Sequence, residues 1–146
     1  MKEKPYLFLD FDFTCTYMDG VKDNLSEFLE FCVSNFKVFW CSYATYVHIK
    51  TELGDSIDSN LLNKIIYKEV KGKSKVEFIY YIIEDDKFFI YIDDDVSILD
   101  YNLLQEVGLL EQLIIAQNNK DDIKRLRKIL EEKLILYKAD FSAKNF

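Results

Sequence analysis

This chain has little of what breaks or cross-links a fold. Its 146 residues include one proline and four glycines. No Pro/Gly/Ser linker, internal repeat or low-complexity tract is present. The three cysteines, Cys15, Cys32 and Cys41, are an odd set without close spacing. That pattern argues against a disulfide framework or a zinc site and favours buried free thiols in a reducing compartment. Positive charge is also short: 19 Lys+Arg against 26 Asp+Glu leave a net charge of -7. A general nucleic-acid coat binder would be basic, so that class is disfavoured, although a small basic patch at a site remains compatible. No apolar run has membrane-spanning length, and Met1 to Pro5 lead straight into a strand without a signal-peptide pattern. The expectation is a cytoplasmic protein with no membrane contact, folded as a single domain over residues 1–146. The only histidine, His48, falls mid-helix and reads as an ordinary helix residue.

Apolar side chains are plentiful, at 49% with 16% aromatic, enough for a sizeable core and against disorder. They are arranged in two alternating periods. Buried-strand runs are Tyr6-Leu7-Phe8-Leu9, residues 37–41, 88–92 and 112–116. Helical spacing predicts helices over 23–35, 43–53, 74–84, 98–107 and 121–137, with a tail from Ala139 that frays. Ser42 is expected to cap the second helix and Gly54 to follow its end. Between them and the Lys71–Ser74 turn, Leu61-Leu62 suggests a short helix and Ile65-Ile66-Tyr67 a short strand. Strands alternating with helices imply an α/β fold: a three-layer, Rossmann-like parallel sheet with helices on both faces.

The first strand runs into Asp10-Phe11-Asp12-Phe13-Thr14. If the strand continues, period 2 puts Asp10 and Asp12 on one side, where the two carboxylates repel unless a proton or cation lies between them. A second acidic run, Asp93-Asp94-Asp95, ends the strand at 88–92. In open parallel sheets, ligands bind beyond the carboxyl ends of the strands, so Asp10, Asp12, Ser42, Asp93 and Asp94 are expected to meet on one edge.

These residues resemble the motifs of the haloacid dehalogenase-like (HAD) superfamily of phosphatases. Asp10-Phe11-Asp12-Phe13-Thr14 resembles the first motif, Ser42 the second, Lys73 at a helix start the third and Asp93-Asp94 the fourth, in the family's order. The resemblance implies a Mg2+-dependent phosphohydrolase. Asp10 would attack phosphorus and form an aspartyl-phosphate, and Asp12 would serve as acid and then base. Ser42 would bind a phosphoryl oxygen, and Lys73 would offset the transition-state charge. Asp10, the Asp12 carbonyl and Asp93 would hold Mg2+, supported by Asp94 or Asp95. Lys75 is the alternative to Lys73. Two departures stand out: Phe13 replaces a glycine common after the second aspartate, and neither interval that could hold a cap domain has room for one. A capless, open site implies a phosphorylated substrate that is small or macromolecular, a phosphoprotein or a nucleic-acid end, with nucleic acid only as substrate. The competing readings are a non-enzymatic binding module on the same fold and a phosphoacceptor receiver-like domain. The receiver order fits poorly, because here the lysine precedes the second acidic run.

Overall fold

A computed structural model describes residues 3–18, 20–83 and 88–144, with side chains through Asp140. In chain order it contains β1 (Tyr6–Leu9), the antiparallel hairpin β2 (Thr16–Tyr17) and β3 (Gly20–Val21), α1 (Leu25–Asn35), β4 (Lys37–Trp40), α2 (Tyr46–Leu53), α3 (Ser59–Leu62), α4 (Lys75–Ile83), β5 (Phe89–Asp93), α5 (Ile98–Glu106), β6 (Leu113–Ile115) and α6 (Ile123–Lys144). Strands β4-β1-β5-β6 form one sheet in that order, with every pairing parallel.

All four residues of β1 are buried, because both faces of the strand are covered. Its alternation divides the core. Leu7 and Leu9 join Val38, Trp40, Ile90 and Ile92 on the face packed by α1, α2 and α6. Tyr6 and Phe8 join Phe39, Phe89 and Tyr91 on the face packed by α4 and by Leu104 of α5. Each such side chain contributes about 1.5–3 kcal/mol on full burial, so two-sided packing outweighs the weak local preference of a four-residue strand. This is the expected α/β class, a parallel sheet flanked by helices.

The register carries the functional consequence. Leu9 pairs with Trp40 on one side and Ile92 on the other. Asp10 and Cys41, just past the ends of β1 and β4, and Asp93, the last residue of β5, therefore stand side by side at the carboxyl edge of the sheet. The Asp10 N–H donates to the Ile92 carbonyl at 2.9 Å, and the Cys41 N–H donates to the Leu9 carbonyl at 2.8 Å.

Several boundaries differ from the sequence expectation. β1 ends at Leu9, and residues 12–15 turn instead of continuing the strand, so the pleat does not align Asp10 with Asp12. The turn at 17–20 is flanked by the β2/β3 pairing, with Asp19 itself outside the described residues. The Ile65–Tyr67 strand reduces to a single bridge between Ile66 and Phe39. Helix α6 runs on to Lys144 rather than ending at Tyr137. The expected end of α4 at Glu84 lies outside the described residues, as do the last two residues of the tail.

The start of α2 requires a correction. Ser42 is not its cap: the Ser42 hydroxyl accepts from the Ala44 N–H in a local turn, and the helix begins at Tyr46. Thr45 caps it, accepting from the His48 N–H at 3.1 Å. Both residues can satisfy a free amide, and the turn after β4 decides between them. Thr45→Ala should therefore cost about 1 kcal/mol, and Thr45→Ser should restore most of it. The midpoint of urea unfolding checks this; an unchanged midpoint for Thr45→Ala would refute the cap.

Candidate functional site

Asp10 is buried just beyond β1. Its Oδ2 accepts from the Thr14 hydroxyl at 3.0 Å, and its Oδ1 accepts from Lys75 Nζ at 2.9 Å. Asp93 ends β5, and its Oδ2 accepts from the same Lys75 Nζ, also at 2.9 Å. The Tyr91 hydroxyl donates to that oxygen too, while Asp93 Oδ1 accepts from the Asp95 N–H at 3.1 Å. One ammonium thus bridges carboxylates from two adjacent strands. Asp94 stands close by: Asp10, Asp93 and Asp94 each offer an oxygen, and the three lie within 4.8 Å of one another.

Close packing of acids in a site screened from water makes ionisation costly. Burial, and then Asp93, push the Asp10 carboxyl up to about 8, although Lys75 acts the other way. Burial likewise raises Asp94. Burial opposes charge on Lys75, but Asp10 and Asp93 outweigh it and hold the ammonium more strongly than in water. Burial and Asp93 keep the Tyr91 phenol protonated, so it remains a donor.

The four chain segments enclose an open cleft of about 330 Å³ lined by Asp10, Asp12, Ser42, Lys73, Lys75, Asp93 and Asp94, with Phe13 and Tyr43 at its mouth. Every residue expected from the sequence therefore reaches one place, but not in the expected arrangement. Lys73 is exposed on the rim, whereas Lys75 makes both ion pairs. The reason is the helix start. Ser74 accepts from the Glu77 N–H at 3.0 Å, so α4 begins at Lys75 and its first side chain is delivered to the sheet edge. The signal was present as Ser74-Lys75-Val76-Glu77, a capping-box spacing. Phe13 adopts φ 61, a left-handed conformation that glycine enters more easily. It keeps the turn and projects a half-exposed ring at the cleft.

Asp100 and His48 had no such signal. Asp100, buried on α5, accepts from the Ser74 hydroxyl at 2.6 Å and from the amides of Lys75 and Val76 at 3.3 and 3.1 Å. It satisfies the free amides at the start of α4 and so anchors the turn that carries Lys75. His48 Nε2 lies 3.2 Å from Asp12 Oδ1.

The donor set fits a hard divalent cation. Asp10, Asp93 and Asp94 could each give an oxygen to such an ion; without it, the Lys75 ammonium and the raised Asp10 carboxyl compensate their mutual repulsion. Among the described residues no helix is long and apolar enough to cross a membrane. No protein-family model, curated protein or solved structure matches this chain.

Proposed function

We propose that this protein is a capless HAD-like phosphatase that hydrolyses a phosphomonoester through an aspartyl-phosphate on Asp10. The observation that carries the reading is the Asp10–Lys75–Asp93 bridge at the carboxyl edge of β1 and β5, with Asp94 beside it. An aspartate there is too buried to be a solvated strand end. Capless organisation is supported by the two intervals that could hold an insertion. Among the described residues, the interval between the Asp10 loop and β4 carries the β2/β3 hairpin and α1, and the interval between Ser42 and Lys75 carries α2, α3 and short turns, which leaves no span for an inserted domain in either.

In this reading Asp10, Asp93, Asp94 and the Asp12 carbonyl hold Mg2+, which when bound screens the phosphoryl oxygens from the anionic nucleophile. An Asp10 oxygen forms the bond to phosphorus as the bond from phosphorus to the leaving oxygen breaks, and Asp12 gives that oxygen its proton. Asp12 then takes a proton from water as the water oxygen displaces Asp10. Ser42 binds a phosphoryl oxygen through its hydroxyl, without help from a helix N-terminus. Lys75 offsets the transition-state charge, replacing Lys73 in that role. An open, half-aromatic cleft mouth suits a phosphorylated substrate whose remainder stays outside.

The direct test is hydrolysis of an aryl phosphate with and without Mg2+, with borohydride trapping of the acyl phosphate on Asp10. Absence of both turnover and trapped product would sink the reading. A second test needs no turnover. Mg2+ should raise the thermal midpoint, with a stabilisation of about 2.7 kcal/mol at a hundredfold excess over Kd. The gain should be larger near pH 8 than near pH 6, because Asp10, held up to about 8, must lose its proton to bind the metal. A midpoint that ignores Mg2+ at both pH values would remove the metal site.

A further inference from the structure

We infer that His48 is a positioning residue that orients Asp12 for proton transfer to the leaving group; the inference rests on the phosphatase reading above. His48 projects from the first turn of α2, just after the Thr45 cap. Its Nε2 stands 3.2 Å from Asp12 Oδ1, across 36 positions of sequence. The ring is held edge-on against the fully buried Phe11, with centroids 5.8 Å apart and planes at 88°. With the imidazole proton on Nε2, the ring N–H donates to Oδ1 and leaves the other Asp12 oxygen to carry the proton that the leaving group receives.

Stability does not account for this contact. The two side chains are 43% and 49% exposed, and an ion pair or hydrogen bond in that setting is worth at most about 1 kcal/mol. Its consequence is directional. Asp12 lies in a tight turn outside β1 and half in solvent, where a short carboxylate has several rotamers. His48 occupies one oxygen and the residue still lines the cleft, so the other oxygen is left for the substrate. Phe11 fixes the imidazole, and the imidazole fixes the acid. Proton delivery to a leaving oxygen requires hydrogen-bond reach, so a freely rotating Asp12 would deliver it poorly.

The two substitutions that separate this role from a structural one are His48→Leu and His48→Gln. Leucine keeps an apolar edge toward Phe11 and removes the donor; glutamine keeps an N–H at similar reach. The readout is kcat/KM for two phosphate esters in Mg2+: an alkyl phosphate, whose leaving oxygen needs a proton, and 2,4-dinitrophenyl phosphate, whose leaving oxygen does not. His48→Leu should lose about tenfold to a hundredfold on the alkyl ester and change little on the dinitrophenyl ester, with His48→Gln recovering most of the loss. Equal losses on both esters, no loss on either, or a faster His48→Leu enzyme would overturn the assignment of His48 while leaving the phosphatase reading in place. A folded wild-type protein that hydrolyses neither ester would overturn the phosphatase reading, and this role with it.

Discussion

Asp10→Asn is expected to lower Mg2+-dependent aryl phosphate hydrolysis by about a thousandfold or more, and to make the metal-free protein harder to unfold near pH 8. The two effects have one cause. The Asp10 carboxyl is buried among acids and held up to about 8, far above 3.8. Below its ordinary pKa, both the folded and the unfolded chain carry the proton. As pH rises from about 4 to about 8, the unfolded chain releases it and the folded chain keeps it, so the folded state binds more protons. Stability contributed by this group is therefore complete at low pH and lost progressively up to about pH 8. Asparagine cannot ionise. It preserves the oxygen that accepts from Lys75 and removes the charge that the site disfavours. The gain in unfolding free energy over wild type should grow between about pH 4 and 8 and then level off, as read by urea titrations at a series of pH values. Adding Mg2+ should reverse the order, because only the wild type offers the metal a full carboxylate set. A variant that keeps wild-type turnover would remove Asp10 as nucleophile. One that is less stable than wild type at every pH would contradict the electrostatic account.

The second large effect separates two lysines that lie close together in sequence. Lys75→Met should destabilise the metal-free protein by about 3–5 kcal/mol near neutral pH, because it removes the buried ammonium that Asp10 and Asp93 share and leaves their oxygens without its hydrogen bonds. Lys73→Met removes a charge from an exposed rim and should stay within about 0.5 kcal/mol. Methionine approximates the lysine stem, so lost packing is not the main difference. Activity should follow the same division, with Lys75→Met inactive even where Mg2+ restores its fold and Lys73→Met reduced at most by weaker substrate attraction. Asp100 predicts the sign of a control: since it anchors the start of α4, Asp100→Ala should shift the protein toward the Lys75→Met behaviour. Comparable losses for Lys73→Met and Lys75→Met would show that the ion-pair geometry does not govern the site.

Much of this architecture is legible in the amino-acid sequence alone. The uninterrupted apolar run Tyr6-Leu7-Phe8-Leu9 marks a strand buried on both faces, the helical spacing of Leu25, Phe28, Leu29 and Cys32 marks a helix buried on one, and their alternation along the chain gives the α/β class. Strands of one parallel sheet share a carboxyl edge, so Asp10 and Asp93 had to converge once both runs were read as strands. What the sequence left open was the direction of individual side chains. Whether Lys73 or Lys75 enters the cleft depends on where α4 starts, and that start is held by Ser74 together with Asp100 from α5. Whether Ser42 or Thr45 caps α2 depends on the turn after β4. His48 meets Asp12 only because α2 packs beside the loop beyond β1. Burial pattern is a property of each segment by itself, and local periodicity reports it. The position of a catalytic atom is a property of two or more segments, set by helix starts and contacts far apart in the chain, and only the packed tertiary structure decides it.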